Sequence, residues 1–80
     1  MKLIKTTDPK LILAQNLKEL RTSAGLSQEE LADRAGLHRT YVSSIEGGKR
    51  NVTLENIFAL AEALGATPAD LVRLPKAGKS

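Results

Sequence analysis

Cysteine is absent from the 80 residues, which excludes disulfides, thiolate metal sites and a cysteine nucleophile together. Tryptophan is absent too, aromatic residues make up 2% of the chain, and alternating β-branched runs are nearly missing, so strands are not expected. No apolar run approaches the roughly 20 residues that a bilayer-spanning helix needs, and MKLIKTTDPK lacks the apolar centre of a signal peptide. The single histidine has no second imidazole or thiol to share a metal with. These absences lead to the expectation of a soluble, cytoplasmic, all-α protein without metal or cofactor, held by packing and helix caps.

What is present supports one domain with one modest core. The balance of 12 Lys and Arg against 9 Asp and Glu gives +3 and a pI near 9.5, which suits an anionic partner and equally suits an ordinary soluble domain. Leu and Ala recur at helical spacing between start and stop signals. Asp8 as N-cap and Pro9 behind it open a first helix whose Leu13, Leu17 and Leu20 share a face and which Gly25 ends. Ser27 and Glu30 form a capping box around a short second helix, stapled by Leu26 and Leu31 and closed by Ala35 and Gly36. A third helix is expected from His38 or Arg39 to Glu46 or Gly47. A fourth follows the cap Thr53 and buries Leu54, Ile57, Leu60, Ala61 and Leu64. A fifth starts at Thr67, Pro68 and Asp70 and stops before Pro75. The organisation is thus an N-terminal arm over 1–8, a five-helix domain over 9–74 and a frayed polar tail, PKAGKS, over 75–80.

The third helix poses the functional question. At about 100° per residue, His38, Val42 and Ile45 lie on one side, while Thr40, Ser43, Ser44 and Gly47 form a small polar face on the other. Two short helices joined by a tight Ala35-Gly36-Leu37 turn match the helix-turn-helix arrangement. A reading helix must be slim and carry donors and acceptors on its outer face, and Arg39 at its N-terminal end suits the O6 and N7 atoms of guanine. Lys49 and Arg50, just past it, suit phosphates.

The stretch LSQEELADRAGLHRTYVSSIEGGKRNVTLENIFALAEALG resembles the helix-turn-helix of the phage Cro and repressor family (XRE, lambda repressor-like). LHRTYVSSIE followed by KRNVTLENI is similar in particular to restriction-modification controller proteins. The resemblance covers about residues 11 to 74 and implies a DNA-binding homodimer that regulates transcription, with double-stranded operator DNA and the transcription machinery as partners. It implies base-reading roles for Arg39, Thr40, Ser43 and Ser44, and a place at the groove edge for Tyr41. Gln28 is implied to hold a phosphate and brace the next helix, Arg50 and Asn51 to touch the backbone, and Arg21 and Glu46 to bridge the first and third helices. Two positions depart from the family pattern: His38 replaces the commoner Ser or Thr cap, and Val52 stands where many relatives have Pro.

Alternatives exist for each feature. A solvated helix face explains Ser43 and Ser44 alone, Gln28 is a good helix former in any role, and Lys49 and Arg50 suit an ordinary charged loop. His38 reads as a capping or packing residue. An enzyme would need a nucleophile with its base, paired carboxylates or a phosphate loop, and none is present. The alternative that survives is an antitoxin-like interaction module of the same fold that grips a toxin. One reading helix spans only a few base pairs, so two half-sites and a two-fold dimer are expected. Ile57, Phe58 and Ala61 in the fourth helix with Leu71, Val72 and Leu74 in the last provide its apolar surface, and Leu3 and Ile4 of the arm are the rival.

Overall fold

Capping side chains fix where each helix begins. Asp8 accepts the Lys10 N–H at 2.9 Å and starts α1 (Pro9–Ser23), with proline in the first turn. Ser27 and Glu30 exchange bonds at 3.0 and 2.8 Å across the start of α2 (Gln28–Ala35). The turn to α3 (Arg39–Glu46) requires a left-handed residue, and Gly36 supplies it with φ of 73°. Thr53 caps α4 (Leu54–Leu64), and Thr67 with Asp70 makes a second capping box on α5 (Pro68–Val72). The computed structural model describes residues 8–74, and among these every regular element is a helix. The arm residues Leu3 and Ile4 and the expected tail over 75–80 lie outside the described residues.

The helices meet around Leu17, Leu31, Val42, Ile45, Leu60 and Leu71, all fully buried. α2 packs on α3, α1 lies across α3 and α5, and α4 closes the bundle against α2 and α5. Burying one such side chain contributes about 1.5–3 kcal/mol, so this cluster is what locks α3 onto the bundle by its inner face.

Several expectations change. Leu54 is 67% exposed. It is the first residue of α4, and helical side chains lean toward the N-terminus, so it leans off the end of the helix rather than into the core. Leu20, Ile57 and Leu64 are only half-buried, flanking the core instead of filling it. Two of the six residues assigned to a dimer face, Ala61 and Leu71, are buried within the monomer. The reason is plain for Leu71: α5 has five residues, and this is the one buried among them, the anchor that holds so short a helix down. His38 occupies the cap position of α3 with extended backbone, yet its side chain makes no capping bond and is exposed, so it neither caps through its ring nor packs.

Candidate nucleic-acid interface

The face of α3 opposite Val42 and Ile45 projects from the bundle. Thr40 and Ser43 are exposed there, and Arg39 is exposed at the first position of the helix, one turn before Val42. Ser44 sits half-buried at the margin and donates its hydroxyl hydrogen to the Thr40 carbonyl at 2.8 Å. It can therefore accept a hydrogen bond from a base amino group, while its donor is spent within the helix. The first turn of α3 contains no acidic residue and has no side-chain cap, and Glu29 and Asp33 of α2 line the pocket beside it.

The segment after α3 carries cations. Lys49, Arg50 and Asn51 are all exposed, and the loop is pinned at its start by Gly48 N–H donating to the Ile45 carbonyl at 2.9 Å and Lys49 N–H donating to the Ser44 carbonyl at 3.1 Å. Gly48 has φ of 72°, and a Cβ there would meet Leu11 Cδ2 at 2.6 Å. The left-handed backbone is what calls for glycine there, since the Leu11 contact is with the tip of an exposed side chain that can turn aside.

Orientation of α3 is set by a polar cluster at its C-terminal end. Arg21 Nε donates to Glu46 Oε2 at 2.6 Å, its Nη2 to Oε1 at 3.0 Å, and its Nη1 to the Leu26 carbonyl at 2.8 Å. Gln28 Nε2 donates to the same Oε1 at 2.9 Å. The side chains of Arg21 and Glu46 are only 12% and 5% exposed, so this two-pronged pair is shielded and ties α1, α2 and α3 together. Burial by itself pushes the Glu46 carboxyl up, but the bonds from Arg21 and Gln28 outweigh it and hold it below its ordinary value. Glu46 therefore stays ionised, and the Arg21 guanidinium against it offsets its charge. Gln28 keeps one amide hydrogen beyond the one given to Glu46.

Tyr41 is half-buried against the core. Its phenol oxygen accepts from Asn56 Nδ2 at 3.1 Å, and the Arg50 guanidinium lies over its ring, 5.3 Å from the centroid. Sequence reasoning missed Asn56, and it missed Asn16, whose Nδ2 donates to the carbonyls of Leu71 and Arg73 at 2.8 Å each and so caps the end of α5. These bonds span 15, 55 and 57 residues, and no local pattern signals them. The expected sites fall into two groups. Residues 39–51 and Gln28 gather around α3, whereas Ile57, Phe58, Val72 and Leu74 belong to α4 and the end of the chain's described part.

Residues 17–71 match the protein family described as helix-turn-helix. The chain is 46% identical over 68 residues to the control protein C.BamHI of Bacillus amyloliquefaciens, covering 84% of each chain. Among solved structures it is similar to the restriction-modification controller protein C.AhdI from Aeromonas hydrophila, with a TM-score of 0.76, 52% identity, and coverage of 78% of this chain and 94% of that one. It is also similar to a hypothetical transcription factor from Neisseria, with a TM-score of 0.84, 41% identity, and coverage of 94% and 86%.

Proposed function

The chain belongs to the helix-turn-helix family, and from that premise we propose that it is a sequence-specific DNA-binding transcriptional regulator that works as a homodimer and controls a restriction-modification operon. The observation that carries this reading is the two-sided build of α3: Val42 and Ile45 are sunk in the core while Arg39, Thr40 and Ser43 stand out from it, beside a loop carrying Lys49 and Arg50. In this reading α3 enters the major groove. Arg39 forks onto guanine, Thr40 and Ser43 donate to or accept from base edges, and Ser44 accepts only.

Phosphates are held around the reading helix. Lys49, Arg50 and Asn51 reach one backbone segment, Tyr41 offers a hydrogen at the groove edge, and Gln28 offers its remaining amide hydrogen. Backbone contacts of this kind supply affinity and register, and the exposed face of α3 supplies the choice of sequence. No catalytic step enters the mechanism. No helix among the described residues is long and apolar enough to cross a membrane.

The test is the salt dependence of duplex binding. A dimer that neutralises on the order of 6 to 10 phosphates should lose affinity with a log–log slope of about −5 to −9 against salt. Affinity that ignores salt, or no retention of duplex DNA at any salt, overturns the reading.

A further inference from the structure

The chain has a single tyrosine, and its setting goes beyond what contact with DNA requires. Asn56 is the third residue of α4, its N–H donates to the Thr53 cap at 3.1 Å, and it is half-buried, so its amide is held by a rigid element. That amide donates to the Tyr41 phenol oxygen, and Arg50 lies over the Tyr41 ring. A chain of contacts therefore runs from the start of α4 through the phenol to a loop cation.

We propose that Asn56 is a positioning residue of the DNA interface, acting through Tyr41 to set Arg50 in place before a phosphate arrives. This rests on the DNA-binding reading above and adds a residue that touches no nucleic acid. An arginine on an exposed loop loses rotamer freedom when it binds, and one already stacked on a fixed ring loses less. Asn56 also decides what the phenol offers. With one side of the oxygen occupied by the incoming amide hydrogen, the phenol hydrogen points elsewhere, and Tyr41 acts as a donor, the polarity that suits a phosphate oxygen. Polarised in series, the two bonds strengthen each other. The start of the same loop is held by the Gly48 and Lys49 N–H bonds to the Ile45 and Ser44 carbonyls, so Arg50 follows a fixed start.

The test is a double-mutant cycle on the 80-residue chain, using a duplex selected from a random pool and an unrelated duplex. Asn56→Leu should weaken binding to both by about three- to ten-fold, with folding checked by circular dichroism. In a Tyr41→Phe background the same change should have almost no further effect, because its route to Arg50 is already cut. In the protein without DNA, nuclear Overhauser contacts between the Tyr41 ring and Arg50 should fade in Asn56→Leu. If wild type binds and Asn56→Leu equals it, or if the two substitutions add independently, the positioning role is wrong while DNA binding stands. If wild type binds no duplex, the DNA-binding reading fails first and takes this role with it.

Discussion

At Glu46, donors from Arg21 and Gln28 converge on one carboxylate and join α1, α2 and α3. Its carboxyl is held below the ordinary value of 4.5 by those bonds against the opposing effect of burial. A carboxyl depressed in the folded state stabilises the fold fully above its unfolded value, and that contribution is lost as pH falls through the folded one. Thermal midpoints should therefore drop on acidification from about pH 6 to about pH 3, and Glu46→Gln should drop less across the same window. The fall should not vanish in that variant, because Glu30 and Asp70 are also held low by their capping bonds to Ser27 and Thr67. An identical acid profile for wild type and Glu46→Gln would show that the pair contributes nothing. Arg21→Ala is the harsher change. It leaves a shielded carboxylate short of a partner, and unfolding by urea should show a loss of roughly 3 kcal/mol.

Among the elements, α5 is the one whose place most needs explaining, since five residues cannot hold a helix by themselves. Leu71 anchors it from within and Asn16 from α1, through bonds to the carbonyls of Leu71 and of Arg73 just past its end. Asn16→Ala should cost about 0.5–1.5 kcal/mol through loss of the bond to the part-buried Leu71 carbonyl, water replacing the exposed one to Arg73, and amide exchange should quicken in α5 more than in α2 or α3. Uniform quickening across the helices would instead mark a global loss unrelated to α5. The same helix shows what sequence can and cannot convey. Thr67, Pro68 and Asp70 announced its start because a cap is a local device, and the boundaries of α2 were legible for the same reason. Whether Leu71 faced the core or a partner was not legible, because helical periodicity gives a face without saying what covers it. Leu54 was misjudged by the same route, a residue in the right phase at the wrong end of its helix. The polar face of α3 was readable from spacing alone, whereas Asn16 and Asn56 act across the fold and leave no periodic trace.

For the whole molecule, removing Ala61 and Leu71 from the dimer face leaves Phe58 and Val72, 55% and 52% exposed, with Ile57 and Leu74 as the surface proposed to pair. Phe58→Glu with Val72→Glu should sediment as a folded monomer, and deletion of residues 1–7 should leave the dimer intact; the reverse pattern would assign the interface to the arm. Two copies held by that surface must bring their α3 helices about 34 Å apart to meet successive turns of one groove face. The measurement that bears most directly on this account is selection of duplex sites from a random pool by wild type, Arg39→Ala and Arg50→Ala in parallel. Wild type should enrich a two-fold symmetric site with half-sites near one helical turn apart. Arg39→Ala should lose preference at one base position in each half-site and bind about 5- to 160-fold more weakly, the equivalent of about 1–3 kcal/mol. Arg50→Ala should enrich the same site as wild type with lower affinity for every sequence. Enrichment of nothing, or the same unchanged site from wild type and Arg39→Ala, would contradict the claim that α3 reads DNA.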